Sequence, residues 1–137
     1  MANGTLVDSN VLLDVLTEDA TWLDWSLEAL ASAAEAGPLF INPIIYGEVS
    51  IRFSRVEDLD AALPPQDYRR LALPWAAAFL AGKAFASYRR NGGTPSSTLP
   101  DFLIGAHAAA QELTLLTRAV ARYRTYFPTV ELTTPAR

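Results

Sequence analysis

Three carboxylates stand where an apolar run gives way to a helix or has just entered one: Asp8 in T-L-V-D-S-N, Glu48 in N-P-I-I-Y-G-E and Asp101 in L-P-D-F-L-I. Acids drawn from distant stretches and gathered at one sheet edge make an all-oxygen donor set, the kind that holds a hard cation such as Mg²⁺ or Mn²⁺. Such an ion keeps crowded carboxylates charged and neutralises a phosphodiester. Each acid also has a plainer reading. Asp8 and Asp101, taken singly, are best explained as helix N-terminal acids stabilised by the macrodipole, worth roughly 0.3–1 kcal/mol. Glu48 lies beside Ile44, Ile45 and Val49, where an unpaired buried acid is costly and a paired arginine would account for it.

Other side chains offer less chemistry. Asp14 on an apolar helix and Asp67 in a loop read as structural or solvated, and His107, six residues past Asp101, reads as a helix side chain rather than a base. Ser96 and Ser97 have no nearby histidine to activate them, which argues against a serine hydrolase. Asn10 stands two residues after Asp8, where a phosphatase using an aspartyl nucleophile would want a second acid. The three Trp and most other aromatics read as core or interface filling.

At 137 residues, half of them hydrophobic, the chain is expected to form a single domain spanning 1–137, with a short tail from about 133. With no cysteine, a metal must be held by oxygen or by His107, which favours hard cations over zinc. The start M-A-N-G runs straight into the core pattern without a basic region and long apolar stretch, so a cytoplasmic location is expected. Leu71 to Ala86 is broken by Pro74, Gly82 and Lys83, short of the roughly 20 apolar residues of a membrane span. Net charge is −4, unfavourable for general nucleic-acid binding, but it is uneven. Residues 1–82 carry four Arg against twelve acids, whereas residues 83–137 carry seven Lys and Arg against three acids. Arg118, Arg122 and Arg124 cluster late and suggest either a cationic rim or a solvated basic face.

The elements that must position these residues alternate. Thr5 to Val7 is a short strand ending at Asp8, and Asn10 offers a cap for V-L-L-D-V-L. Helical spacing runs from Thr21 to Ala36 until Gly37-Pro38, Leu39 to Ile41 is a second strand, and Asn42-Pro43 opens the helix bearing Glu48 and Phe53. A short helix covers Glu57 to Ala62; Tyr68 to Leu73 fits a strand or a helical turn; an Ala-rich helix spans about Pro74 to Arg90. After the loop N-G-G-T-P-S-S-T, Pro100-Asp101 starts another helix, and Leu113 to Thr117 and Thr129 to Leu132 read as strands. This order predicts an α/β fold with a mainly parallel, short-stranded sheet flanked by helices.

L-V-D-S-N-V-L-L-D-V-L, I-I-Y-G-E-V, L-P-D-F-L-I-G-A-H-A and L-L-T-R-A-V-A-R-Y-R-T-Y-F-P-T-V-E-L, in that order, resemble a PIN-domain ribonuclease of the VapC toxin type. The resemblance spans nearly the whole chain and implies a three-layer PIN fold, Mg²⁺- or Mn²⁺-dependent RNA cleavage and control by a VapB-type antitoxin. It also implies a homodimer or a toxin–antitoxin hetero-oligomer. By position, Asp8, Glu48 and Asp101 match the metal-binding acids of the family, and Ala119 stands where a fourth acid is usual. The basic Arg118, Arg122 and Arg124 would then face RNA. A toxin with an impaired site is one reading; a PIN-fold protein that binds antitoxin or RNA without cutting is the other. Trp22, Trp25 and the helix from Glu48 to Phe53 are candidate antitoxin contacts.

Overall fold

The computed structural model describes residues 3–92 and 98–135. Most of the N-G-G-T-P-S-S-T loop, with Ser96 and Ser97, and the last two residues of the tail lie outside that range. Among the described residues five strands, β1 (Thr5–Val7), β2 (Leu39–Ile41), β3 (Arg69–Arg70), β4 (Thr114–Leu116) and β5 (Leu132–Thr133), form one sheet in the order β3-β2-β1-β4-β5. Every pairing is parallel: Leu6 lies opposite Phe40 on one side and Leu115 on the other, and Leu116 lies opposite Thr133. All three residues of β1 are buried, as expected of a central strand covered on both faces, so its sequence is a continuous apolar-leaning run rather than an alternating one.

Among the described residues seven helices flank the sheet: α1 (Ser9–Leu16), α2 (Leu23–Ala36), α3 (Pro43–Ser50), α4 (Val56–Ala62), α5 (Trp75–Arg90), α6 (Leu99–Ala110) and α7 (Val120–Arg124). The predicted α/β architecture is present, with local corrections. Helix α1 begins before Asn10 because Asp8, extended at the end of β1, caps it with its own carboxylate, accepting from Ser9 N at 2.8 Å. Helix α2 begins at Leu23 because Asp19 Oδ1 accepts from the backbone N of Thr21 and of Trp22, both at 2.9 Å, and holds them in a turn. The segment Tyr68 to Leu73 contributes β3. The last strand falls later than Thr129 to Leu132, since residues 127–130 are spent on a turn closed by Val130 N to Phe127 O. Asn42 caps α3 as its sequence predicts, Oδ1 accepting from Ile45 N at 2.9 Å with Pro43 in the first turn.

Helices α5 and α6 are joined through an aromatic cluster of Phe85, Tyr88, Phe102, Tyr126 and Phe127, with neighbouring ring centroids 5.3–6.2 Å apart. Trp22 and Trp25 are half-buried, edge to face, but Trp75 is 92% exposed and belongs to no core. Gly105 in α6 is what lets the chain after β4 approach: a Cβ there would lie 2.5 Å from Phe127 and 3.0 Å from Tyr123. Buried His107 ties α6 to α3. Since Asn42 Oδ1 is committed to Ile45, the Asn42 amide N–H donates to His107 Nδ1 at 2.9 Å, and His107 Nε2–H donates to Gln111 Oε1. This arrangement requires a neutral ring, and burial lowers the His107 pKa.

Gly105→Ala should lower stability by about 1–2 kcal/mol, because overpacking costs more than the roughly 1 kcal/mol of helix propensity gained. Gly82→Ala, with nothing within 4 Å of its Cβ, should raise stability by up to about 1 kcal/mol. Denaturant midpoints compare the two, and equal gains from both would contradict the packing at Gly105. The lowered His107 pKa means the unfolded chain binds more protons below its ordinary 6.5. The contribution of His107 is therefore complete above that pH and is lost as pH falls towards the folded-state value. Urea midpoints of wild type and His107→Gln should converge on acidification through this window; a constant difference would place the ring proton elsewhere.

Candidate acidic site

The strand order reverses between β1 and β4: crossovers from β1 lead to β2 and β3, while β4 and β5 lie on the opposite side. Such a switch point opens a crevice beyond the carboxyl ends of the two central strands. Asp8 follows β1 directly and Thr117 follows β4. Asp8 is only 3% exposed, and both its oxygens are engaged. Oδ1 accepts from Ser9 N; Oδ2 accepts from Thr117 Oγ1 at 2.8 Å, Tyr123 OH at 2.9 Å and Asn10 Nδ2 at 3.3 Å. Burial raises the Asp8 pKa, opposed by these hydrogen bonds. The Tyr123 phenol is driven well above its usual range by burial and by the adjacent Asp8 charge, so it remains a donor.

Glu48 projects from the second turn of α3, half-buried, and Oε1 accepts from the Ser9 hydroxyl at 2.8 Å. Ser9 thus bonds Asp8 through its backbone N–H and Glu48 through its side chain. Burial raises the Glu48 pKa, and the fields of Asp8 and Asp101 push it further up. No arginine pairs with Glu48 among the described residues. Asp101, in the first turn of α6, divides its oxygens: Oδ2 accepts from Thr98 N at 3.0 Å and Thr98 Oγ1 at 3.3 Å, a reciprocal cap, and Oδ1 accepts from Arg122 at 3.2 Å. Three elements therefore bring the three acids within mutual electrostatic influence, and two of them also cap helices.

The basic residues separate. Arg118 is committed to buried Asp14 by two hydrogen bonds of 2.7 and 2.8 Å, with its guanidinium over the Trp22 ring, and Asp14 also accepts from Ser26. This agrees with Asp14 as a structural acid and draws Arg118 away from a free cationic rim. Arg122 turns onto Asp101, and Arg124 is exposed. Ala119 precedes α7, its N–H donating to Thr117 Oγ1 at 3.0 Å. His107 spends both ring nitrogens on Asn42 and Gln111. The sequence reading missed Ser9, Asn10, Thr117 and Tyr123 as supports of Asp8. Their only signal is polarity: three stand beside Asp8 or at the end of an apolar strand, and Tyr123 falls on a basic segment where nothing marks it as buried.

Among the described residues, no three acid or histidine side chains stand close enough as placed to grip one ion together. The donors nonetheless fit a hard cation in kind. Asp8 Oδ1 has a single donor, Glu48 uses only Oε1 for Ser9, and Asp101 Oδ1 is held only by Arg122, so each acid retains accepting capacity. Mg²⁺ keeps several waters and needs only one or two carboxylates.

The PIN domain family model matches residues 5–119. The chain belongs to the PIN domain family. Its fold is similar to that of VapBC2 from Rickettsia felis bound to a promoter DNA fragment (TM-score 0.73, 17% identity, 95% of this chain and 97% of that one). It is also similar to VapBC-1 from nontypeable Haemophilus influenzae (0.73, 15%, 95% and 96%) and to a toxin–antitoxin complex from Klebsiella pneumoniae (0.69, 22%, 98% and 99%). No curated protein matches the sequence. Among the described residues no helix is long and apolar enough to cross a membrane.

Tyr123→Phe removes one of four donors to a buried carboxylate while keeping the ring. It should cost about 1–3 kcal/mol while Asp8 is ionised, and less once acid has protonated it. Unfolding at several pH values measures this; a pH-independent cost would mean that the phenol does not serve the Asp8 charge.

Proposed function

We propose that this chain is the toxin component of a type II toxin–antitoxin pair, a Mg²⁺- or Mn²⁺-dependent endoribonuclease weakened by Ala119. The observation that supports the reading is that Glu48 feels the charges of both Asp8 and Asp101 in a chain of the PIN domain family. The similar solved structures are toxin–antitoxin assemblies, which supports a VapB-type antitoxin as partner, within a homodimer or hetero-oligomer.

Asp8, Glu48 and Asp101 would hold the cation, which when bound neutralises the phosphodiester and polarises its phosphorus–oxygen bonds. The chain's own residues do the rest. Asp8 is fixed by Ser9, Thr117 and Tyr123, so its position is set before any ligand arrives. Glu48, whose pKa is raised by burial and by its acid neighbours in the free chain, would offer the cation the oxygen not taken by Ser9. The oxygen of an attacking water would bond to phosphorus as the bond to the leaving oxygen breaks, the water's proton passing through solvent to that oxygen. Arg124 and a released Arg122 would neutralise flanking phosphates. Trp25, Trp22 and the chain from Glu48 to the exposed Ile51 and on to Phe53 would meet the antitoxin.

A second reading, binding of antitoxin or RNA without cleavage, is favoured by Ala119 and by the Arg122–Asp101 ion pair. Incubation of RNA with Mg²⁺ or Mn²⁺ separates the two. Ala119→Asp should cut about tenfold faster than the chain with Ala119 or more, the loss usual when a metal site lacks one supporting group being roughly 10–100-fold. If neither form cleaves RNA or inhibits growth, the nuclease reading falls and the binding reading replaces it.

A further inference from the structure

We propose that Arg122 is a counter-ion built into the acidic site, occupying the electrostatic place of the cation, so that a divalent ion binds only by displacing its guanidinium from Asp101. The assignment rests on how α7 is held. Tyr123 is fully buried and its hydroxyl is bonded to Asp8, and its ring packs against Gly105, where no side chain intervenes. Anchoring residue 123 fixes the backbone of residue 122 at the rim of the same crevice. From there the Arg122 side chain, one-third exposed, reaches Asp101 Oδ1 at 3.2 Å and lowers the energy of charge on Asp8 and Glu48 as well.

The charges around it are Asp8, Glu48 and Asp101, with no second guanidinium directed at them among the described residues, since Arg118 is held by Asp14. The segment after β4 therefore contributes a positive side chain at 122 and none that is negative at 119. Three acids taken partly out of water repel one another unless a positive charge joins them. Arg122 supplies it from within the chain. Its exposure and its single 3.2 Å contact, against the two shorter bonds that fix Arg118, make it the displaceable one of the pair. Only the identity of the competing ion rests on the nuclease reading; the competition itself is read by binding rather than by cleavage.

Calorimetric titration with Mn²⁺ alone tests this on the full chain. Arg122→Gln should bind Mn²⁺ about tenfold tighter than wild type or more, as expected when one positive charge a few ångströms from an ion is removed, while Arg122→Lys should remain near wild type. Circular dichroism establishes that each variant is folded. Should Arg122→Gln fail to fold, the wild-type chain decides: on titration with Mg²⁺ the Arg122 Nε–Hε resonance should shift and sharpen towards that of a free guanidinium, and that of Arg118 should not. Unchanged Mn²⁺ affinity in Arg122→Gln, or an Arg122 resonance that stays put at saturating Mg²⁺, would overturn the proposal. Tighter Mn²⁺ binding by Arg122→Gln without RNA cleavage by any form leaves the counter-ion standing and removes the nuclease. Cleavage with unaltered Mn²⁺ affinity does the reverse.

Discussion

A carboxylate removed from water must be given back, by the protein, the hydrogen bonds it has lost, and Asp8 imposes that requirement on this fold. Its four donors come from the start of α1, the end of β4 and α7, segments more than a hundred residues apart. Meeting it aligns the two central strands at their carboxyl ends and draws the chain after β4 back across the sheet edge. Gly105 leaves the space for that return, and the aromatic cluster between α5, α6 and the segment after α7 fills in behind it.

The same requirement explains why structural and chemical roles do not compete here. Asp8 caps α1 and Asp101 caps α6, so each acid sits at the positive end of a helix, where a negative charge is already favoured. Capping uses only part of each carboxylate. Glu48 lies within electrostatic reach of both, and an arginine from α7 pairs with Asp101. The site thus combines hydrogen bonds that fix the acids with one guanidinium set against their charge.

Much of this was legible in the sequence because local chemistry agrees with the global fold. Asn42-Pro43 announces α3, the apolar run Thr5 to Val7 announces the central strand, and short strands alternating with helices announce a parallel sheet. The expected convergence of Asp8, Glu48 and Asp101 rested on their places after strands and within early helical turns. The remainder depended on tertiary partners. Asn10 is chemically a good cap, but Asp8, already extended at the strand end, takes that position. Arg118 and Arg122 look equivalent in sequence; buried Asp14 claims the first and Asp101 the second. Trp75 resembles a core residue by type and lies in solvent, because what faces a helix surface is set by packing and not by side-chain hydrophobicity. Tyr123 was hidden for the same reason, its burial being decided by a glycine on another helix.

The account stands on distant acids sharing one cation-binding position. Anomalous diffraction from crystals soaked in Mn²⁺ tests this most directly. The account predicts a single strong peak within bonding distance of at least two of Asp8, Glu48 and Asp101, with the Arg122 guanidinium no longer on Asp101. A map with no peak at these acids under saturating Mn²⁺, and with the Arg122–Asp101 pair intact, would contradict it.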